Sequence, residues 1–486
     1  MKKSKHSGGD AFVSLRGVMT KPGVSGLLLT LLVLTASVGC RDKSRAHEPE
    51  LFRQAPPART AADPSRPNII IISIDTLRAD HTGVYGYDRP TTPFLDRFAK
   101  ECAVFENCQA QSSWTPPSVG SLFTSLYPTQ HGSLGKDRIP LAEENRTLAE
   151  LLGEAGYFTA AFSASPFIHP DFGFGQGFML FGFDPSENAA ALNRMVLEWL
   201  KDRPPSPFFL YVMFFDPHFP YAPPAPFDRK FQTGPDGRPL WEERRVTRIK
   251  SLLELGASVG RETYEFLKSQ YDAEIAFTDS QLELLIEELK ARGLLENSIL
   301  VITSDHGEEF LEHGGFGHGH TLYQELIRVP LIIRLPGPPR EGTRIKTVVR
   351  QIDVLPTVLE EAGIALPEKI EGLSLLPLIH EPGAGQDRPA YSVTGHMFRE
   401  ETLLKSLRRG RYQLIVSEKP DRIELYDLEH DPEQLDNLAL KKPELLSFML
   451  DELVALEKEM HPSPVSGAGP ATPDRARELL RRLGYL

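Results

Sequence analysis

The sequence predicts an α/β protein, with a largely parallel central sheet covered by helices on both faces and a smaller C-terminal α+β part. Three observations carry this reading. Short continuous apolar runs recur, "NIIIISID" (68–75), "FFLYVMFF" (208–215) and "SILVITSD" (298–305). Their length suits central parallel strands buried on both faces. Helical patterns lie between and around them, "TLAELLGEAG" (147–156) and "ETYEFLKSQYDAEIAFTDSQLELLIEELKARG" (262–293). Strands alternating with helices build a parallel sheet with both faces covered. Finally, the C-terminal part changes character. There "KSLRRGRYQLIVS" reads as an antiparallel hairpin, "IELYDLEHDPEQLDNLA" as an acidic turn region, and "RARELLRRLGYL" as an amphipathic helix.

At 486 residues the chain can bury a large core and predicts one big domain plus a smaller one. Its 54 Lys+Arg against 66 Asp+Glu give −12, which argues against nucleic acid as a partner. The N-terminus carries Lys2, Lys3, Lys5, Arg16 and Lys21, then the apolar "GVSGLLLTLLVLTASVG", then Cys40. A basic segment, an apolar stretch and a small-residue end make residues 1–40 an export signal. The tail "TASVGC" resembles a bacterial lipobox, with Ser37 where leucine is usual; a plain signal or an uncleaved anchor is the alternative. The expectation is a catalytic body exported to the periplasm or cell envelope and tied to the membrane through a lipid on Cys40. Residues 41–66, polar and rich in Pro and Ala, read as a disordered tether. The catalytic domain is expected over 67–375 and the C-terminal subdomain over 376–486. Cys102 and Cys108 suit either a short-range disulfide or two buried thiols.

Parallel sheets place ligands beyond the carboxyl ends of their strands. Here the three runs end in Asp75, in Asp216 and His218, and in Asp305 and His306. Two carboxylates with an imidazole suit a divalent cation, Ca²⁺ or Mg²⁺ if oxygens dominate and Zn²⁺ or Mn²⁺ if histidines join. The alternative is that Asp75 caps a helix and Asp305 merely ends a strand. Downstream, "GEEFLEHGGFGHGHTLYQE" sets His313, His318 and His320 among glycines that permit close backbone approach. His318 and His320 could contact a phosphate or sulfate oxygen, protonate a leaving group or hold a second metal. An exposed His-rich loop is the plain alternative. His218, in "FDPHFPYAPP", could protonate a leaving alcohol or simply pack on its aromatic neighbours, and Asp216 suits a second metal or a loop cap.

The stretch "SSWTPPSVGSLFTSLYPTQHG" (112–132) reads as a helix entrance. Proline is tolerated in a first helical turn. The N–H groups and dipole of such an end attract an anion, which would lie beside the Thr115 hydroxyl. Thr115 is then a nucleophile or metal ligand; equally, Thr115 or Ser118 is only the N-cap.

Taken together, these segments resemble the sulfatase family of the alkaline phosphatase superfamily over about residues 67–440. The resemblance rests on "IIISIDTLRADHTGVYGY", "TPPSVGSLFTSLYPTQHG", "FFDPHFPYAPP", "YDAEIAFTDSQL", "LVITSDHGEEF", "LIRVPLII", "IDVLPTVLEEAG" and "ELYDLEHDPEQLDNLA". It implies an alkaline-phosphatase-like α/β/α sandwich and one divalent metal, with Ca²⁺ as the family's usual ion. Asp75, Thr115, Asp305 and His306 fall on the metal set, Thr115 on the nucleophile, and His218 on a substrate-contacting histidine. Four positions depart from the pattern. Sulfatases carry cysteine or serine at the Thr115 position, oxidised to formylglycine, whereas the extra methyl of threonine would lead to a ketone. Val119 replaces the signature arginine, Thr76 replaces a second aspartate, and "FSASPF" lacks a lysine and histidine found in sulfatases. Threonine nucleophiles are typical of relatives that handle phosphorus, the nucleotide pyrophosphatase/phosphodiesterases and phosphoethanolamine or phosphoglycerol transferases.

The reading is therefore a sulfatase-like, metal-dependent ester hydrolase with catalytic Thr115, His218 and His320 and substrate contacts from His318 and Ser118. No formylglycine is expected, and the partner is a sulfated or phosphorylated small molecule or glycan. A phosphodiesterase, phosphonate hydrolase or phosphoethanolamine-type transferase is the alternative. A catalytically inactive relative that binds sulfated glycans is a third.

Overall fold

A computed structural model describes residues 49–54, 61, 63–134, 139–202, 204–232, 261–381, 383, 387–395, 403–418, 421–461 and 474–483. The export signal and Cys40 lie outside them.

The strands of the large sheet, in chain order, are β1 (Glu50–Arg53), β2 (Asn68–Ile74), β3 (Ala103–Gln109), β4 (Phe158–Ser163), β5 (Leu180–Phe183), β6 (Phe208–Phe214), β7 (Ser298–Ser304), β10 (Arg328–Arg334) and β11 (Thr343–Arg350). A short hairpin, β8 (Glu309–Phe310) and β9 (Phe316–Gly317), lies between β7 and β10. The sheet order is β1-β5-β4-β6-β2-β7-β10-β3-β11. The run from β5 to β7 is parallel throughout, and β10 is antiparallel to both of its neighbours. The predicted runs at β2, β6 and β7 are the three adjacent centre strands, with every residue buried.

Period-two alternation sorts their side chains onto two cores. Ile69, Ile71, Phe209, Tyr211, Ile299 and Val301 join one apolar cluster. Ile70, Ile72, Leu210, Val212, Leu300 and Ile302 join the other. The first face packs the helices Thr115–Thr124, Leu148–Glu154 and Val354–Glu361; the second packs Ala189–Lys201 and the long Arg261–Ala291. This is the expected sandwich. Thr147 caps Leu148–Glu154 with a capping box closed by Glu150, so the predicted start of that helix holds.

The C-terminal strands β12 (Ala390–Gly395), β13 (Leu403–Arg409), β14 (Tyr412–Glu418) and β15 (Asp421–Asp427) form an antiparallel sheet. Leu404, Ile415 and Tyr426 face the large core, while Leu407, Leu414 and Leu425 pack with Met449 and Leu453 of the helix Pro443–Glu459. The acidic region after the hairpin thus begins as a strand, β15.

One expectation changes within residues 41–66. The tether is not free of structure, because Glu50–Arg53 pairs antiparallel with β5 and Phe52 meets the His169 ring edge-on at 5.0 Å. An open sheet edge offers backbone partners to any nearby extended segment, whatever its composition. Leu378 in the helix Leu376–His380, like Leu404, Ile415 and Tyr426, packs into the large core. Cys102 and Cys108 are buried free thiols.

Candidate active site

Strand register builds the centre of the site. β2 and β7 pair Ile74 with Ser304, so Asp75 and Asp305 leave the sheet side by side. Asp75 N–H donates to the Phe214 carbonyl at the end of β6 (2.9 Å). Thr76 follows in the left-handed region (φ 56°), unusual for a β-branched residue. Two bonds hold it there: its N–H donates to Asp305 Oδ1 (3.2 Å) and its carbonyl accepts from Tyr271 (2.7 Å). Such strain persists only where its surroundings over-determine it.

The fully buried helix Thr115–Thr124 brings the Thr115 hydroxyl to this point. Its Oγ1 lies 3.2 Å from His306 Nε2 and 3.4 Å from Asp75 Oδ1. His306 Nε2 is 3.4 Å from Asp305 Oδ2 and 3.7 Å from Asp75 Oδ1. His306 Nδ1 donates to the Gly307 carbonyl (2.8 Å), which leaves the Nε2 lone pair facing the cluster. Burial pushes that imidazole down to about 4, so it is neutral. Burial, then the charges of Asp305 and Glu308, hold the Asp75 carboxyl well above its usual range. Asp75 Oδ2 and Asp305 Oδ2 are buried with no hydrogen-bond partner. Orphaned carboxylate oxygens beside an imidazole lone pair form a donor set that a divalent cation would satisfy.

The histidines separate. The His318 ring lies 4.5 Å from that of His306 and 4.9 Å from that of His218, forming a row of three imidazoles beside Thr115. His320 is not in that row. Its Nε2 pairs with Glu309 Oε2 (2.7 Å), so the structure does not bring it into the row with His306 and His218. Glu308, just before β8, and Glu309, its first residue, each take one histidine, His318 or His320. His313 stacks on Tyr323 at 3.5 Å and pairs with Glu325 (2.6 Å), so it serves the loop's structure.

Two further expectations change. The Ser118 hydroxyl donates to the Ser112 carbonyl (2.9 Å), fixing the helix entrance rather than facing the cluster. The helix start also offers little to an anion through its amides, because Pro116 and Pro117 have no N–H and that of Ser118 donates to Trp114 O (3.3 Å). Neither Thr115 nor Ser118 is the N-cap; Trp114 holds that position without a side-chain bond. Asp216 proves to be a cap, its carboxylate accepting from Ala189 N–H (2.6 Å) at the start of the helix Ala189–Lys201.

Val119 sits in the large core at 0% exposure, so the missing arginine has been replaced by packing. The buried guanidinium of Arg78 is turned to Asp80, Glu312 and the Glu308 carbonyl. Sequence reasoning missed Glu308 and Tyr221. Glu308 accepts from Tyr221 (3.1 Å) with Oε2 and pairs with His318 Nδ1 (2.9 Å) through Oε1, and is wholly buried. Its place directly after Asp305-His306-Gly307 was the available signal, masked by the charged Glu308-Glu309 pair that reads as surface.

With this geometry in place, comparisons with known proteins identify the family. The sulfatase family model matches residues 67–364, and that of the N-sulphoglucosamine sulphohydrolase C-terminal region matches 311–459. An arylsulfatase of Clostridium perfringens is 28% identical, over 77% of this chain and 90% of its own length. An ulvan-active sulfatase of Formosa agariphila is 26% identical, over 89% and 86%. Among solved structures, a protein in complex with its substrate D-glucosamine-2-N,6-O-disulfate superposes with a TM-score of 0.67 at 23% identity, over 82% of this chain and 99% of that one. The phosphonate monoester hydrolase of Agrobacterium radiobacter gives 0.67 at 21%, over 81% and 96%. These two likenesses establish the fold. The match over residues 67–364 establishes more: the chain belongs to the sulfatase family.

Proposed function

We propose that this protein is a metal-dependent hydrolase of sulfate or phosphate esters that acts through an unmodified Thr115. The observation that carries the proposal is the convergence of the Thr115 hydroxyl with Asp75, Asp305 and His306, buried and with two carboxylate oxygens unpartnered. Those four side chains would hold the cation, Ca²⁺ by family resemblance, with Mn²⁺ or Zn²⁺ admitted by the His306 nitrogen. When bound, such an ion supplies positive charge that draws electrons from the ester oxygens and offsets the clustered carboxylates.

In the proposed reaction Thr115 Oγ1 attacks sulfur or phosphorus while Asp75 Oδ1, 3.4 Å away, accepts its hydrogen. The bond to the leaving oxygen breaks, and that oxygen takes a proton from an imidazole of the His218–His318 pair. Water then attacks the covalent threonine ester and returns a proton to the imidazole, and Thr115 recovers its hydrogen from Asp75. In this reading the row of His306, His318 and His218 binds the ester oxygens, since Pro116 and Pro117 leave few amides at the helix entrance.

One observation favours phosphorus as the reacting atom. Thr115 cannot carry the aldehyde of formylglycine, so a sulfated threonine lacks the elimination route open to that aldehyde hydrate. We include phosphodiesters and phosphonate monoesters in the substrate class for that reason, alongside sulfated glycans or small molecules. The test is a panel of aryl sulfate, phosphate, phosphodiester and phosphonate esters on cation-stripped and reloaded protein. Turnover that survives Thr115→Ala would overturn the mechanism, and absence of turnover on every ester would favour a binding-only relative. From residues 1–40 we further propose export and lipid anchoring; Cys40→Ala should release the protein from the membrane fraction.

A further inference from the structure

Glu308 has the burial and the bonds of a group that positions another. It is 0% exposed, yet a structural ion pair does not account for its surroundings, since its partners are a tyrosine and a histidine of the site. The hairpin puts it there. β8 and β9 pair Phe310 with Phe316 and Glu309 with Gly317, and one residue beyond this two-pair ladder Glu308 Oε1 meets His318 Nδ1 at 2.9 Å. Gly317 and Gly319 flank His318 with φ of 89° and 78°, a left-handed backbone that glycine adopts without strain. Gly319 N–H donates to the Ser113 carbonyl (2.8 Å), two residues before Thr115, which ties the His318 loop to the nucleophile's own segment. Behind Glu308, Tyr221 is 1% exposed and packed edge-on against Phe219 (5.2 Å) and Tyr271 (5.7 Å).

We infer that Glu308, backed by Tyr221, is a positioning residue that makes His318 the leaving-group acid. The inference rests on the ester-hydrolase reading above and deepens it. A carboxylate can only accept at its bond to a ring N–H, so Glu308 Oε1 fixes the His318 Nδ1 hydrogen and leaves Nε2 as the atom that exchanges protons. Tyr221 occupies the other carboxylate oxygen and limits rotation of Glu308. In the first step the ester O–P or O–S bond breaks and the leaving oxygen takes the Nε2 proton. In the second, the attacking water returns a proton to Nε2, so the imidazole ends as it began. His218 is then left to contact the non-bridging oxygens.

A leaving-group series tests this with full-length, cation-loaded protein. A 4-nitrophenyl ester, whose phenolate leaves without help, is compared with the corresponding benzyl ester, whose alkoxide needs a proton. Glu308→Gln and His318→Ala should each lower kcat/KM at least about 20-fold more on the benzyl ester than on the nitrophenyl ester. Tyr221→Phe should follow the same pattern with a smaller loss. The Glu308→Gln/His318→Ala double variant should be no slower on the benzyl ester than His318→Ala alone, because a positioning residue has nothing left to position. Equal losses on both esters in Glu308→Gln and Tyr221→Phe would overturn the inference and leave only a structural role. Full benzyl-ester activity in either Glu308→Gln or His318→Ala would overturn it too. Wild-type protein inactive on both esters, or active without Thr115, would overturn the ester-hydrolase reading and this inference with it.

Discussion

Proton and cation should compete for the Asp75–Asp305 pair, and the competition can be read from thermal stability. Burial and the neighbouring Asp305 and Glu308 charges hold the Asp75 carboxyl well above the usual carboxylate range in the folded state. The sign follows from linkage. Over the interval between its ordinary value, near 4, and its raised folded value, the native state binds the proton more tightly than the unfolded chain. Cation-free protein should therefore be more stable at about pH 5 than at about pH 8. A divalent cation replaces that proton, so its stabilisation should be larger at the higher pH. At 100 times its dissociation constant the cation contributes about 2.7 kcal/mol. A folded body of about 440 residues unfolds with an entropy of roughly 0.9 kcal/mol/K, so the melting temperature should rise by about 3 °C. The assay is thermal melting of chelator-treated protein titrated with Ca²⁺ or Mn²⁺ at both pH values. Asp305→Asn should abolish the shift and raise the cation-free melting temperature, because it removes one of two adjacent buried charges. A shift unchanged in Asp305→Asn, or larger at the lower pH, would refute the reasoning.

Three further predictions follow from the same geometry. Thr115→Ala should lower ester hydrolysis by on the order of 1,000-fold or more while leaving the melting temperature nearly unchanged, whereas Thr115→Ser keeps the hydroxyl and should retain measurable turnover; steady-state rates and melts decide it. Gly315→Ala would put a methyl 2.2 Å from His320 Nε2 and 2.7 Å from Glu309 Oε2, and should destabilise the fold by about 1–3 kcal/mol, visible in denaturant titration. Val119→Arg, which restores the residue type that sulfatases carry, should not restore function: the side chain would enter a packed core at 0% exposure, and soluble expression should collapse by the cost of an unpaired buried charge.

Much of the site was legible in the chain because its central residues end strands. A continuous apolar run is legible as a buried parallel strand, and the polar residue that terminates it must lie at the sheet's carboxyl edge, so Asp75, Asp305 and His306 could be placed together from spacing alone. The helix entrance that follows β3 left Thr115 open between cap and nucleophile, and the family resemblance put it at the site. The His-rich loop was not legible in this way. His318 and His320 are two apart in sequence with the same chemistry, and only the folded loop after β9, with positive φ at Gly317 and Gly319, pairs one with Glu308 and the other with Glu309. Local composition likewise could not tell that Glu50–Arg53 would complete a sheet edge formed by residues 180–183.

The amino-acid sequence by itself determined the α/β class, the three central strands and the strand ends at which chemistry is possible, because these depend on local periodicity and on where apolar runs stop. Tertiary structure alone decided which titratable groups share a volume. The loop around β8 and β9 made Glu308 the partner of His318 and Glu309 that of His320. Packing turned the Val119 position into core. Long-range register and packing set those outcomes, and neither is encoded in any short stretch of the chain.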